Sequence, residues 1–134
     1  MPAPGLACRW VSAQQDLQVI FNKYIRLRDQ DKPCISCGKY NKLQAGHYYA
    51  VKNYDAFRFD ERNVHGECAG CNCFDESHLI GYTNNINKRL NEEELNDLHK
   101  EVALYKQNRL AYKWDRLTIL ELIEIYKQKV SSLE

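Results

Sequence analysis

No stretch of this 134-residue sequence stays apolar for the about 18 residues that a membrane-crossing helix needs, so a helical membrane span is excluded. The first residues, Met1-Pro2-Ala3-Pro4-Gly5, lack the basic and apolar regions of a signal peptide, and a cytoplasmic location is expected. An excess of charge of one sign is missing too. Lys and Arg number 19 against 18 Asp and Glu, for a net charge of +1. That total neither demands nor excludes nucleic acid, because a nearly neutral protein can carry a basic face. No internal repeat and no low-complexity linker divides the chain. Its length suits one domain, and two independent cores would need help from a metal.

What the sequence does have is cysteine in pairs. Of six cysteines, four fall in two Cys-x-x-Cys knuckles, Cys34/Cys37 and Cys68/Cys71. Such a knuckle puts two thiolates on one tight turn, and two knuckles supply the four sulfurs of a closed structural Zn²⁺ site. Pro33 and Gly38 suit the first turn. Three disulfides are the competing reading; the paired spacing and the missing export signal favour zinc. Cys8 and Cys73 receive no role. Between and beside the knuckles stand Ala45-Gly46-His47-Tyr48-Tyr49, then Glu61-Arg62-Asn63-Val64-His65, and Asn72 directly after Cys71. That order of histidine, asparagine and a further polar residue is the order of an HNH, or ββα-metal, site.

The flanking segments read as helix. Residues 1–11 are expected to be a tail anchored by Trp10. Residues 12–31 repeat Leu17, Ile20, Phe21, Tyr24 and Leu27 at helical steps, opened by a capping box of Ser12 and Gln15 and closed before Pro33. Residues 32–80 form the zinc and ββα-metal core, with strands over 43–50 and 56–65 and a short helix from Ala69 carrying Asn72. Residues 81–134 are a helical extension: one helix over 81–90, one capped at Asn91 with Leu95, Leu98, Val102 and Tyr105, and one opened by Thr118 and Glu121. The fold class is therefore α+β, a single domain with a zinc-stapled core between an N-terminal helix and C-terminal helices. The apolar positions of those last helices offer a dimer surface.

A phosphodiester resists hydrolysis because its oxygens repel the nucleophile and its leaving alkoxide is poor. An aimed base and a cation at the leaving oxygen answer both problems. His47 is the candidate base, since an imidazole near pKa 6.5 can take a proton from water at neutral pH. A hard cation, Mg²⁺ or Mn²⁺, accepts an amide oxygen, which Asn72 can offer; His78 is the second candidate ligand. Asn63 is read as holding the loop that orients His47. His65 has three open readings: metal contact, phosphate contact or a brace for the loop. His99 is read as structural. Lys39, Lys42, Lys52, Arg58 and Arg62 are candidates for phosphate contact, and Tyr40, Tyr48, Tyr49 and Tyr54 for stacking on unpaired bases.

These residues carry a family resemblance. Pro33-Cys34-Ile35-Ser36-Cys37-Gly38, Ala45-Gly46-His47-Tyr48, Arg58-Phe59, Glu61-Arg62-Asn63-Val64-His65 and Cys68-x-x-Cys71-Asn72 resemble, in that order, the NinG (Rap) recombination family of lambdoid phages. The run Phe21-Asn22-x-Tyr24-Ile25-Arg26-x-Arg28-Asp29 resembles the helix before that family's first knuckle, and the likeness extends to Trp114 and Thr118-Ile119. The resemblance implies a metal-dependent, structure-specific endonuclease that cuts branched DNA such as Holliday junctions and D-loops, acting as a homodimer because symmetric cutting needs two sites. A more distant similarity to the phage recombination endonuclease VII implies that Asn72 binds the catalytic metal. Two departures stand out. Asp75-Glu76-Ser77-His78 replaces the family's Ser-Gly-Asn run, and Gly46 occupies the place where many HNH enzymes have an aspartate or histidine ligand. A catalytically degenerate zinc-stabilised DNA-binding or adaptor module is thus the alternative, and a zinc domain that binds protein a third.

Overall fold

The computed structural model describes residues 6–74 and 78–134, with side chains from 13–73 and 78–134. Helix α1, Leu6–Arg28, starts before the expected position at residue 12. Residues 6–11 follow the last of the opening Pro and Gly residues, so nothing in them breaks a helix. They are helical and not a tail, and Ser12 falls inside the helix. Ala13, Leu17, Phe21 and Ile25 recur at four-residue steps, make one face and are all buried.

That face packs on α4, Arg116–Leu133, through Ile119, Ile123 and Tyr126. The Phe21 ring meets Tyr126 edge to face at 5.0 Å and Phe59 at 5.7 Å between centroids. The start of α4 corrects the expectation of a capping box at Thr118 and Glu121. Asp115 is the cap, three residues before the expected Thr118, and its carboxylate accepts the Thr118 N–H at 2.8 Å.

The sheet is one antiparallel hairpin. Strand β1, Leu43–His47, pairs with β2, Val64–Cys68, from Leu43 opposite Cys68 to His47 opposite Val64. The first strand begins at the expected residue 43 but ends three residues before 50, and the second lies at 64–68 in place of the expected 56–65. Residues 48–63 form turns instead, including a 3₁₀ turn at Asp55–Phe57. The buried Asn63 amide supplies the reason: it accepts the Tyr49 N–H at 2.7 Å and donates to the carbonyls of Tyr49 and Phe57 at 3.0 and 3.1 Å. These bonds satisfy backbone groups that a strand ladder would otherwise pair. The alternation of Phe57 and Phe59 is real, but it sends the two rings into two different cores.

Beyond β2 the chain makes a π turn, Gly70–Phe74, and then α2, His78–Asn85, followed by a 3₁₀ turn, Ile86–Lys88, in place of one helix over 81–90. Helix α2 lies so close to the first knuckle that a Cβ at Gly81 would sit 2.0 Å from the Ser36 carbonyl oxygen. Helix α3, Glu92–Gln107, is capped by Asn91 in a full capping box with Glu94. It closes the second core, where Leu98, Val102 and Tyr105 meet Ile35, Phe57 and Tyr82. Among the described residues no helix is long and apolar enough to cross a membrane.

Candidate metal centre and histidine cleft

Cys34 and Cys37 lie on the turn before β1, Cys68 ends β2, and Cys71 falls on the π turn. The hairpin register and the close seating of α2 bring the four sulfurs within 4.8 Å of one another. Cys37 Sγ and Cys68 Sγ are 3.9 Å apart. A tetrahedral zinc with bonds near 2.3 Å needs sulfurs about 3.8 Å apart, so the set fits that ion. Cys34 Sγ also accepts backbone N–H groups from Cys68 at 3.3 Å and Cys37 at 3.5 Å. Burial pushes the Cys34 thiol up, but those N–H donors outweigh it and lower its pKa. Burial and the neighbouring cysteines raise Cys71, a repulsion that a divalent cation offsets. Cys73 is exposed, with its thiol 3.5 Å from Gln44 Oε1; the Cys8 and Trp10 side chains lie outside the described residues.

Beside this cluster opens a cleft of about 540 Å³ whose walls include His47, Tyr48, Asn72, His78 and Thr83. Sequence reasoning placed His47, Asn72 and His78 in one site, and the fold does line one cleft with them. His47 ends β1, and its Nε2 lies 2.9 Å from the Arg58 carbonyl oxygen. A carbonyl can only accept, so Nε2 carries the proton and Nδ1 keeps its lone pair. Burial lowers the His47 pKa below the ordinary 6.5, against the pull of the Arg58 carbonyl, and so favours the neutral ring. Asn72 commits its amide nitrogen to Gln44 Oε1 at 2.9 Å, leaving the carbonyl end as the one suited to a cation. Tyr48 hydrogen-bonds Thr83 of α2 at 2.9 Å and packs against Tyr49 and Tyr82, making a fixed cleft wall.

The residue that sequence reasoning passed over is Glu67. It is fully buried on β2, and its Oε2 takes both the Ser36 hydroxyl and His78 Nδ1, the latter at 2.9 Å. Its other oxygen, Oε1, has no hydrogen-bond partner among the described residues. Gly46 explains how it fits, for a Cβ there would lie 2.4 Å from that oxygen. The sequence carries little signal for it beyond a carboxylate one residue before Cys68; its closeness to Gly46 follows from the hairpin, in which Glu67 pairs with Gln44.

His65 has lost its freedom. It is 2 % exposed, with Nε2 against the Arg62 carbonyl at 2.9 Å and Nδ1 against Arg28 Nη2 at 3.2 Å. The first partner only accepts and the second only donates, so both ring nitrogens are spoken for. Burial and the Arg28 charge push its pKa down to about 4. Of its three readings, the geometry supports the brace and leaves no nitrogen for metal or phosphate. The same knot holds Asp29, fully buried, which accepts the Gly66 N–H at 2.8 Å and two bonds from Arg28. Burial raises the Asp29 carboxyl, but Arg28 and the Gly66 N–H outweigh it and its pKa falls.

The phosphate candidates divide. Arg58 is engaged by Gln18 and Asp55, and Arg62 by Asp60 and Glu101, so both guanidinium groups already serve the fold. Lys39, Lys42 and Lys52 are exposed. Lys52 sits at the cleft rim, between two lining residues, whereas Lys42 lies with Lys23 and Arg26 along a separate groove. Tyr40 is exposed, and Tyr49 and Tyr54 meet edge to face in the cleft wall, 5.0 Å between centroids. His99 contacts the Tyr49 hydroxyl at the protein surface. The Asp75-Glu76-Ser77 departure lies outside the described residues.

Fold and site together define a class: a small α+β domain in which a four-cysteine cluster able to hold zinc fixes a hairpin beside a histidine-lined cleft. A family model described as "Bacteriophage Lambda NinG protein" matches residues 9–134. The chain belongs to this NinG family. It is 31 % identical over 126 residues to Protein ninG of Escherichia phage 933W, covering 92 % of this chain and 58 % of that protein. It is 30 % identical to Protein ninG of Escherichia phage lambda and 31 % identical to that of Salmonella phage P22, covering 92 % of this chain and 57 % of each relative. The chain thus spans less than two thirds of the length of these curated relatives. No solved structure matches it significantly.

Proposed function

We propose that this protein is a metal-dependent, structure-specific DNA endonuclease of the HNH type, acting on branched recombination intermediates such as Holliday junctions and D-loops. The observation that carries the reading is the state of His47. Its Nε2–H is tied to the Arg58 carbonyl, burial lowers its pKa and so favours the neutral ring, and Nδ1 is left as the basic nitrogen of a residue that lines the cleft with Asn72 and His78. In this reading Nδ1 takes the proton of the attacking water, and Asn63 and His65 hold the loop that presents it. Asn72 and His78 would hold Mg²⁺ or Mn²⁺, which when bound stabilises charge on the leaving oxygen. The four cysteines hold structural Zn²⁺ and set the hairpin. Lys39, Lys42 and Lys52 contribute phosphate contacts, and Tyr48 shapes the floor on which a distorted strand lies. Exposed Leu117, Leu120 and Ile125 of α4 supply an apolar surface for the homodimer that symmetric junction cutting needs.

The test is cleavage of a labelled four-way junction, a fork and a plain duplex, with Mg²⁺, Mn²⁺ or EDTA. The parent should cut branched DNA only with metal. His47→Ala should keep fold and zinc content yet lose cleavage by about 10²-fold or more. Gly46 gives the adaptor reading its foothold, because it offers no ligand where many HNH sites have one. A parent that binds the junction tightly and never cuts would establish that alternative.

A further inference from the structure

We propose that Glu67, buried behind the cleft-lining His78, supplies the carboxylate of a divalent-cation site at the cleft, taking over the ligand position that Gly46 leaves empty. The inference rests on the reading above, that this cleft binds a hard cation, and it names the ligand which that reading lacks. Its first support is a polar group out of balance. Glu67 is 0 % exposed, its Oε1 has no hydrogen-bond partner among the described residues, and no described lysine or arginine forms an ion pair with it. A carboxylate buried with one bare oxygen is costly unless something positive sits against that oxygen.

The second support is where the carboxylate stands. On β2, Glu67 is directly opposite Gln44, and Gln44 Oε1 holds the Asn72 amide at 2.9 Å. On its other side, Glu67 Oε2 lies 2.9 Å from His78 Nδ1. That contact holds the carboxylate against a residue of the cleft wall, while Oε1 stays the oxygen without a partner. The third support is the glycine. A side chain at position 46 and the Glu67 carboxylate compete for one volume, since a Cβ at Gly46 would stand 2.4 Å from Oε1 and 2.8 Å from the Glu67 Cβ. The missing ligand on β1 and the buried acid on β2 are therefore one arrangement. The carboxylate and the Asn72 carbonyl are oxygen donors of the kind that Mg²⁺ and Mn²⁺ take, and His78, which touches the carboxylate, lines the same cleft as Asn72.

The test uses the zinc-loaded full chain and titrates Mn²⁺ without DNA, reading free Mn²⁺ by electron paramagnetic resonance. The parent should bind one Mn²⁺ beyond zinc, and Glu67→Gln, nearly the same shape without the charge, should weaken it by at least about tenfold. Ser36→Ala, which removes a bond to Oε2 and leaves the carboxylate, should stay within about threefold of the parent. Where Glu67→Gln does not fold, Glu67→Asp keeps the charge on a shorter arm and should also bind Mn²⁺ more weakly than the parent. Parent-like affinity in a folded Glu67 variant overturns the proposal, as does an equal loss in Ser36→Ala. Junction cleavage by the parent is scored separately. A parent that binds Mn²⁺ through Glu67 but cuts no branched DNA keeps this site and removes the nuclease reading.

Discussion

The two faces of one short hairpin are built on opposite principles. Ala45 and Val64 point to α1 and α4 and sink into a core of Leu17, Phe21, Ile25, Ile119 and Ile123. Gly46, His65 and Glu67 alternate to the other side, where α2 covers them with Tyr82 and His78. The first face is held by apolar burial. The second is a buried polar surface, and a sheet of two strands cannot hold it by burial alone. It needs the cysteine cluster at its end. The candidate chemistry draws on both faces: His47, opposite Val64 at the strand end, belongs to the apolar side by register, while Glu67 lies on the polar side with one oxygen left without a protein partner.

If that division is right, metal removal should break one face before the other. Chelating zinc, or Cys34→Ser, should cost on the order of 10 kcal/mol of folding free energy in the hairpin half. Amide exchange should then speed up first across Leu43–His47 and Val64–Cys68, while the α1–α4 pair keeps helical signal. Uniform loss of protection would show that the two faces are one cooperative unit. The reverse lesion is Phe21→Ala, which removes a ring from the centre of the apolar core. It should cost about 3–5 kcal/mol by denaturant titration, yet leave zinc bound at one equivalent.

Legibility in the sequence follows the same division. The apolar face was open to reading because Leu17 and Phe21 repeat at helical steps, and burial obeys period. The cysteine cluster was legible because two tight turns with paired thiolates have few other uses. The strand ends were not. Residues 56–65 alternate like a strand, but the Asn63 side chain supplies the hydrogen bonds that a partner strand would have given. The start of α1 differs from the expectation because two prolines and a glycine among the first five residues suggest a tail that continues to residue 11, whereas residues 6–11 are helical. Within the site, His47, Asn72 and His78 could be placed together from the motif order. Glu67 could not, for it acquires meaning only through the register that sets it against Gln44 and Gly46. Arg58 and Arg62 read as basic surface until Asp55, Asp60 and Glu101 were found beside them.

Acid should act on the polar face through His65, its buried titratable brace. The folded pKa of His65 is about 4, below the ordinary 6.5, so the unfolded chain takes up the proton first. Stability is full above about pH 6.5 and falls as pH drops towards 4, by about 3 kcal/mol in all. Asp29, whose folded pKa is also lowered, keeps its contribution until lower pH and gives it up as its carboxylate is protonated. Denaturant titrations of the zinc-loaded protein between pH 7 and 4 should show this slope, and His65→Gln should flatten it. An unchanged slope would move its origin to the cysteine thiolates.

The smallest effect asks whether the cleft side has any support besides metal. Helix α3 closes that side: Leu98, Val102 and Tyr105 back the second core, and Glu101 holds Arg62. Its first turn depends on Asn91, which accepts the Glu94 N–H at 2.8 Å while the Glu94 carboxylate returns to the Asn91 N–H at 3.1 Å. Asn91→Ala removes the first of these bonds, at a cost of about 1 kcal/mol, and Asn91→Ser should recover most of it. For a domain of this size that is a fall in Tm of about 3–6 °C. Zinc content and Mn²⁺ affinity should not move, because no cysteine and no cleft ligand lies on α3. A parallel fall in Mn²⁺ affinity would mean that α3 fixes the cleft through its packing on Tyr82, and that the polar face is held from two sides.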